Sequence, residues 1–376
     1  MPNGEQRKVY VWPLFSRISH WVIVFSFLAS FCTSFYHHYF TMHMIFGYLF
    51  GATLLCRLLW GFMGPKYALF SHFQFSLASL KGYFREKIAN RWRTISPGHN
   101  PASSWFTLIV LVLGLIIVLS GMVLYGTQEA GGVFAWLNQH YYRLSLVVEN
   151  IHRLTSYILL LWAIVHIAGV LIEQFYHRTG MVLAMVTGYK RSFGSDTTLS
   201  FMQSIVASSL LIFLGVLTWT LMLNDDTILF RSTFEKKDYA HENRAFFEKC
   251  AMCHKHYPPY MLPQASWEKM MDGLENHFGE RIMENNITRA EQHSIRDYLV
   301  SHSAEHSSHK LAYKTLISLG EIRPLSITKS PYWRKTHEHL PPTLFQDPLV
   351  KDTSNCFACH KNLEYGIFDN RLIHLP

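Results

Sequence analysis

Charged residues are scarce in this chain of 376 residues, where they account for 16% of the sequence while hydrophobic residues account for 49%. The sequence also lacks low-complexity tracts, and its only internal repeat is one short motif that occurs twice. These absences exclude a repeat array. The length is sufficient for one membrane domain and one globular domain.

Excess positive charge is missing from the second half of the chain. Residues 1–223 contain 15 Lys and Arg against 6 Asp and Glu, whereas residues 224–376 contain 19 against 20. The formal net charge of +8 therefore belongs to the first half. Because that half is also the apolar one, the basicity does not indicate nucleic-acid binding, and we expect no nucleic-acid partner.

Five apolar segments in the first half are long enough to cross a bilayer. They run from Ile18 to Tyr36, His43 to Phe62, Trp105 to Leu124, His152 to Glu173 and Phe201 to Met222. The first segment includes a histidine and is not followed by a small-residue cleavage site, so we interpret it as a retained span rather than a signal peptide. The sequence therefore predicts a multi-pass membrane protein in contact with lipid.

The duplicated motif lies in the polar half, as C-A-M-C-H at Cys250 to His254 and C-F-A-C-H at Cys356 to His360. In C-x-x-C-H, two thiols bond covalently to haem vinyl groups and the histidine ligates the iron. The expected thioether residues are Cys250, Cys253, Cys356 and Cys359, and the expected iron ligands are His254 and His360. A zinc site is the alternative, since close cysteines and histidines also suit zinc.

The distribution of lysine and arginine predicts the orientation. Positive residues cluster in the N-terminal tail and in the second and fourth connections, while the other connections offer only Arg143 and Arg153. The clustered residues are Arg7, Lys8, Arg17, Lys66, Lys81, Arg85, Lys87, Arg91, Arg93, Arg178, Lys190 and Arg191. The positive-inside rule then places the N-terminus in the bacterial cytoplasm. Five crossings of the inner membrane deliver the C-terminal half to the periplasm, where haem c attachment also belongs.

Histidines in membrane spans are costly and usually functional. His152 and His166 lie 14 positions apart on one predicted helix. The directions of their side chains differ by about 40° around the helix axis, and the two residues are about 21 Å apart along it. When histidines at similar depths in the membrane are paired, His166 pairs with His20 and His152 pairs with His43. This pairing predicts two non-covalent b haems with bis-histidine ligation. His37 and His38 are alternatives to His43. The expected partners of the haem propionates are Arg17, Arg57 and Arg153. An alternative role for Arg17 is to anchor the first span at the cytoplasmic surface of the membrane.

The first half resembles the prokaryotic cytochrome b561 and nickel-hydrogenase b-type cytochrome family over residues 8–192. The similar stretches are V-W-P-L-F-S-R-I-S-H-W (Val11 to Trp21), H-M-I-F-G-Y (His43 to Tyr48), R-L-L-W-G-F-M-G-P (Arg57 to Pro65), G-H-N-P (Gly98 to Pro101), H-I-A-G-V (His166 to Val170) and M-V-T-G-Y-K (Met185 to Lys190). The resemblance implies two b haems and electron exchange with quinones or redox partners.

The second half resembles the dihaem cytochrome c family from about residue 240 to the end. The similar stretches are C-A-M-C-H-K-H-Y-P-P (Cys250 to Pro259), L-P-Q-A-S-W (Leu262 to Trp267), H-F-G (His277 to Gly279), Y-W-R-K-T-H-E-H-L-P (Tyr332 to Pro341) and C-F-A-C-H-K (Cys356 to Lys361). The resemblance implies two covalent c haems with His277 and His337 as distal iron ligands. His339, two residues from His337, is an alternative.

The prediction is an all-α fold in three parts. Residues 1–195 form a four-helix dihaem b bundle, residues 196–237 a fifth tethering span, and residues 238–376 a mainly α-helical, loop-rich periplasmic dihaem c domain. We expect electrons to pass from quinol through the b haems to the c haems and then to a soluble periplasmic acceptor such as a c-type cytochrome. Quinol:cytochrome c oxidoreductase activity is left undecided. The alternatives are a terminal reductase with an open c haem and a hydrogenase-linked subunit.

Overall fold

The computed structural model describes residues 7–89, 97–177, 179–282 and 287–376. Arg91, Arg93 and Arg178, which contribute to the predicted orientation, lie outside this part. The described residues form mainly α-helices, as predicted. One two-stranded antiparallel sheet is added to that prediction, with β1 (Arg7–Tyr10) paired to β2 (Tyr189–Ser192).

The helices follow one another along the chain, and five of them are long and apolar enough to cross a membrane. The helices are α1 (Leu14–Thr33), α2 (Phe40–Met63), α3 (Leu77–Ile88), α4 (Pro101–Glu129), α5 (Leu137–Tyr141), α6 (Ser145–Leu171), α7 (Met181–Thr187), α8 (Phe201–Leu223), α9 (Tyr239–Glu242), α10 (Arg244–Cys250), α11 (Gln264–Asp272), α12 (Arg289–Ser301), α13 (Lys310–Leu319) and α14 (Pro331–His337). The five long helices, α1, α2, α4, α6 and α8, lie at the predicted spans. The predicted first and fourth spans end at Tyr36 and Glu173, whereas α1 ends at Thr33 and α6 at Leu171. Within the described part of the chain, the number of candidate spans therefore matches the prediction.

The chain divides into two compact units. The first unit comprises Met1–Phe35, Met42–Gly121 and Val147–Thr227, and the second comprises Tyr36–Thr41, Met122–Leu146 and Ile228–Pro376. The second unit thus includes the start of α2, the end of α4 and the start of α6. The predicted boundaries at residues 195 and 237 stay a prediction.

The core of the first unit lies between α1, α2, α4 and α6. Phe27 of α1, Phe50 of α2 and Leu159 of α6 are buried there together. Helix α8 packs outside this core, where Ala207 and Leu214 contact buried residues of α1 and α2. The remaining faces of the long helices expose large apolar side chains, as an integral membrane protein requires for contact with lipid.

The β1–β2 ribbon forms in a segment where burial alternates from Val9 to Val11, with the half-buried Tyr10 between the two valines. Val9 and Val11 are fully buried and pack with Tyr67, while Arg7 and Lys8 are exposed. The alternation matches the two-residue period of a strand, in which successive side chains point to opposite faces. The ribbon therefore joins the start of the chain to the segment that follows α7.

The second unit has its own apolar core, in which helices α10 to α13 meet. Phe246, Trp267, Ile295 and Leu311 belong to this core, and Cys250 packs against it. Ser330 caps α14 by accepting a hydrogen bond from the backbone N–H of Trp333. The core thereby positions Cys250 at the C-terminal end of α10, and the cap sets the start of the helix that ends at His337.

Candidate haem sites

Eight histidines lie in four facing pairs, and each pair has nearly the same spacing. The ring centroids are 6.4 Å apart for His20 and His166, 6.2 Å for His43 and His152, 6.3 Å for His254 and His277, and 6.3 Å for His337 and His360. Two imidazole rings that bind one metal ion from opposite sides have centroids about 6 Å apart, because each metal–nitrogen bond is about 2 Å and the ring centre lies about 1 Å further. All four spacings therefore fit one iron between two imidazoles.

The ring of His43 is held by α1. Its Nδ1 lies 2.8 Å from the carbonyl oxygen of Ser30, and the Ser30 hydroxyl donates to the carbonyl oxygen of His43. A carbonyl oxygen only accepts, so Nδ1 is the donor and Nε2 is left unprotonated. An imidazole whose Nδ1–H is bonded in this way is oriented for metal binding through Nε2.

His152 is held in the same manner by α4. Its Nδ1 lies 3.0 Å from the carbonyl oxygen of Ile117 and 3.0 Å from the hydroxyl of Ser120. A Cβ added at Gly121 would lie 3.1 Å from Cε1 of His152, so the absence of a side chain there leaves room for the ring. Both imidazoles of this pair thus direct Nε2 away from their backbone anchors.

An aromatic ring supports the other histidine pair of the first unit. Phe106 of α4 stacks on His166 with ring centroids 4.3 Å apart and an angle of 20° between the planes. Sequence reasoning did not identify Phe106, because one aromatic residue in an apolar helix carries no distinguishing signal. The stack restricts the orientation of the His166 ring towards His20.

The glycines that follow His43 differ in their surroundings. A Cβ added at Gly51 would lie 2.8 Å from Val118 of α4, while one at Gly47 would lie 3.7 Å from the Ser30 hydroxyl. Gly51 therefore permits close packing of α2 against α4.

The three arginines that the sequence predicts to contact haem propionates differ in their environments. Arg17 Nε and Arg57 Nη1 are buried and have no hydrogen-bond partner among the described residues. The charge of Arg57 acts on the His20 imidazole. Arg17 precedes His20 by three positions on α1. Arg153 is exposed, and its guanidinium donates to Asn150 Oδ1 at 2.7 Å. Buried guanidinium groups require an anion, so the unpartnered nitrogens of Arg17 and Arg57 are suited to bind haem propionates. Arg153 has no such buried, unpartnered nitrogen.

His99 is a residue of this region that sequence reasoning did not assign. Its Nε2 is buried without a partner in the described part of the chain, and its ring contacts Trp12 and Phe73 at centroid distances of 5.1 Å and 4.3 Å. Burial, together with the charges of Arg57 and Lys190, lowers the pKa of His99 to about 3. The imidazole is therefore neutral at physiological pH. The only sequence signal was its place in G-H-N-P, a stretch to which no role was attached.

The first C-x-x-C-H motif of the second unit spans the end of α10 and the following turn. Burial raises the pKa of the Cys250 thiol to about 12, whereas Cys253 is exposed. His254 Nδ1 donates to the carbonyl oxygen of Lys255 at 2.7 Å, which leaves Nε2 available. Across from it, burial and the neighbouring His254 lower the pKa of His277. A neutral imidazole is the form that binds iron.

The second motif begins with a 3₁₀ turn at Cys356–Ala358. Burial raises the pKa of the Cys356 thiol to about 12. Burial, with smaller effects from His337 and His37, lowers the pKa of His360 to about 4. His360 Nδ1 is buried without a partner among the described residues.

The structure distinguishes between the two candidate distal histidines of this motif. His337 stacks on Trp333 at 4.4 Å, and its Nδ1 donates to the carbonyl oxygen of Trp333 at 2.8 Å. His339 is exposed and lies 3.6 Å from the carboxylate of Glu338. The ring that faces His360 is therefore that of His337.

The two motifs are neighbours in the second unit. The ring of Tyr257, just after the first motif, lies 5.3 Å from the ring of Phe357 inside the second. The Tyr257 hydroxyl also donates to the carbonyl oxygen of Ser354 at 2.7 Å. Sequence reasoning did not identify this contact, because it joins segments about a hundred residues apart.

Within the described ranges, no group of three or more His, Cys, Asp or Glu side chains is arranged to hold a metal ion. Pairs of imidazoles are instead the arrangement that haem iron needs, since the porphyrin supplies the other four ligands. When bound, haem provides reversible one-electron chemistry, and the protein positions the group and tunes its potential.

Comparison with known proteins gives one family match in each half of the sequence. Residues 11–188 match the family model for prokaryotic cytochrome b561, and residues 246–368 match the model for dihaem cytochrome c. These two matches confirm both resemblances of the sequence.

Curated relatives of the first part are two probable Ni/Fe-hydrogenase B-type cytochrome subunits. The one from Rhodobacter capsulatus is 27% identical over 169 residues, covering 41% of this chain and 63% of the relative. The one from Cupriavidus necator is 27% identical over 168 residues, covering 39% and 65%. The match thus spans slightly less than two thirds of each relative.

Solved structures similar to the second part are dihaem c-type cytochromes. The one from Rhodobacter sphaeroides is 32% identical and covers 33% of this chain and 95% of its own, with a TM-score of 0.29. The one from Shewanella baltica is 28% identical and covers 36% and 94%, also with a TM-score of 0.29. Taken together, the family matches show that this chain is a fusion, belonging to the prokaryotic cytochrome b561 family through residues 11–188 and to the dihaem cytochrome c family through residues 246–368.

Proposed function

We propose that this protein is a four-haem electron carrier of the bacterial inner membrane. In this proposal His20, His166, His43 and His152 ligate two b haems, and His254, His277, His337 and His360 ligate two c haems. Cys250, Cys253, Cys356 and Cys359 attach the c haems covalently. The observation that carries the proposal is the uniform spacing of the four imidazole pairs, 6.2 to 6.4 Å between centroids.

The electron source in the proposal is quinol, and the acceptor is a soluble periplasmic protein such as a c-type cytochrome. Two imidazoles per iron leave no open coordination position, which favours electron transfer over activation of a bound substrate. Membership of the two cytochrome families supports a redox role. The route from the membrane to the periplasm follows from the orientation that the charge distribution predicts.

The decisive experiment is reduction of the c haems by quinol in proteoliposomes. Added ubiquinol or menaquinol should produce the reduced c-haem absorption band in the unaltered protein. A variant with His43→Ala and His152→Ala should retain covalent c haems but lose this reduction. If neither quinol reduces the c haems while dithionite does, quinol is not the donor.

The orientation has its own test. Protease added outside spheroplasts should digest residues 228–376 and leave the membrane helices. Digestion that occurs only with inverted membrane vesicles would place this segment in the cytoplasm and contradict the proposed route.

A second candidate function is electron exchange with a hydrogenase, because the curated relatives of the first part are named as probable hydrogenase subunits. Hydrogen-dependent reduction of the b haems, together with co-purification of a hydrogenase, would favour this candidate.

A further inference from the structure

We propose that His99 is a third anchor of the propionate groups of the b haem that His20 and His166 would bind, acting together with Arg17 and Arg57. The inference rests on the proposed function, because it presupposes a b haem between those two histidines. It assigns a cofactor contact to a residue that ligates no iron. The chemical class of the ligand is a porphyrin carboxylate.

The first observation is a concentration of unpartnered donor atoms. His99 Nε2, Arg57 Nη1 and Arg17 Nε are all buried, and none has a hydrogen-bond partner among the described residues. Buried polar groups in proteins are almost always hydrogen-bonded to protein, water or a ligand. Other buried polar atoms of the first unit also lack a partner, among them Trp105 Nε1 and Trp162 Nε1. The three named here belong to two guanidinium groups and an imidazole, and they indicate an acceptor group that the polypeptide does not supply.

The second observation is the location of these atoms beside one histidine pair. Ring contacts join Arg57 to His99. The Arg57 guanidinium lies 5.5 Å from the centre of the Phe70 ring, Phe70 lies 5.2 Å from Phe73, and Phe73 lies 4.3 Å from His99. The charge of Arg57 also acts on His20. Arg17 lies on the same face of α1 as His20, one turn earlier, because residues three positions apart are neighbours on a helix. The donors thus gather at the edge of the site that His20 and His166 would form.

The third observation concerns charge. Arg17 and Arg57 contribute two positive charges, and a haem carries two propionate groups that are negative when ionised. His99 is packed between Trp12 and Phe73, an environment that suits a neutral ring. A neutral imidazole has one N–H to donate, so His99 adds a hydrogen bond without adding a third charge.

Arg17 is partly anchored by the protein itself. Its Nη1 donates to the carbonyl oxygen of Val186 at 2.5 Å, which leaves Nε as the unpartnered atom. His99 is restrained by the two aromatic contacts. The donors are therefore positioned before any ligand arrives, which reduces the entropic cost of binding the carboxylates.

The test uses the full-length protein and two matched substitutions. His99→Phe keeps a ring between Trp12 and Phe73 but removes the donor, while His99→Gln places an amide N–H near the position of Nε2. The control is His72→Ala, since His72 is exposed in the preceding connection. The measurements are redox titration of the two b haems and the propionate bending band in the resonance Raman spectrum.

We expect His99→Phe to lower the midpoint potential of one b haem. A propionate that has lost a hydrogen-bond donor keeps more negative charge near the iron, and this charge stabilises the ferric state. The propionate band should shift with the potential, and His99→Gln should restore both signals. If His99→Phe does not accumulate, His99→Asn replaces it, since its amide reaches only the Nδ1 position and should give the same loss. Unchanged potentials and an unchanged band in the donor-less variant would overturn the proposal.

Two further outcomes distinguish a failure of the proposed role of His99 from a failure of the proposed b haem site at His20 and His166. A change in KM for quinol with unaltered potentials and propionate band would assign His99 to substrate binding and overturn the propionate role. His20→Ala should remove one b haem. Retention of both b haems in that variant would mean that the proposed haem site is wrong, irrespective of what His99 does.

Discussion

The imidazole rings of His43 and His152 face each other with centroids 6.2 Å apart, and a backbone carbonyl anchors each ring through its Nδ1. The anchors come from two other helices, because Ser30 lies on α1 and Ile117 on α4. All four helices of the first-unit core therefore take part in orienting one pair of rings. Loss of such an anchor typically weakens metal affinity by about 10- to 100-fold.

Substitution of either residue of this pair should remove one b haem. We expect His43→Ala and His152→Ala each to lower the b-haem content by one while the c haems stay covalently bound. Pyridine haemochrome spectra before and after acid–acetone extraction measure the two types separately. His38→Ala is the matched control and should retain both b haems. Unchanged b-haem content in both variants of the pair would contradict the ligand assignment.

The distal ligand of the second c motif should be His337. His337→Ala should convert one c haem from low spin to high spin, because the iron loses its sixth ligand. His339→Ala should leave the spectrum low-spin, since this ring is exposed and turned towards Glu338. Absorption and electron paramagnetic resonance spectra check both variants. High-spin character already present in the unaltered protein would instead support a terminal reductase.

A buried carboxylate should contribute to the stability of the second unit. Glu129 is 4% exposed, accepts a hydrogen bond from Asn370 at 2.5 Å, and lies 3.7 Å from Lys310 Nζ. Glu129→Ala leaves both donors without this acceptor and should lower the free energy of unfolding by about 1–3 kcal/mol. Denaturant unfolding of the full-length protein in detergent measures the difference.

The matched control for this prediction is Glu248→Ala. Glu248 pairs with Arg244 on an exposed helix face, and such surface pairs contribute about 1 kcal/mol or less. Equal destabilisation by the two variants would show that the buried pairing of Glu129 adds nothing.

The stability of the second unit should fall in mild acid, in part because of His309. Its ring stacks between Phe234 at 3.8 Å and Tyr260 at 4.2 Å, and burial, with the charge of Lys237, lowers the pKa of His309 to about 3. Below about pH 6.5 the unfolded chain binds a proton that the native state does not, so the free energy of unfolding decreases as the pH falls towards 3. The loss from this residue should be roughly 2 kcal/mol at pH 5.

Thermal unfolding of the full-length protein at pH 7 and pH 5 tests the effect. His309→Phe retains an aromatic ring in the stack and should show a smaller decrease in Tm between the two pH values. His306→Asn is the control, since His306 is exposed. A pH dependence that is the same in all three proteins would exclude His309 as a contributor.

Local sequence patterns were sufficient for the main divisions of the molecule. The five spans are visible because each is a continuous apolar run, and the two haem c motifs because covalent attachment requires cysteines and histidine at fixed short spacing. The β1–β2 ribbon was missed. Its strands are only 4 residues each and are separated by about 180 positions, so neither carries a signal on its own.

The spacing of residues along the chain places His152 and His166 on nearly one face of a helix, since helical periodicity depends only on their separation of 14 positions. The tertiary structure decided which rings face each other. It favours His43 over His37 and His38, turns His337 rather than His339 towards His360, leaves Arg153 exposed, and adds His99 to the buried donors. These outcomes depend on contacts between segments far apart in the chain, where packing and the burial of polar atoms, rather than local spacing, determine the arrangement.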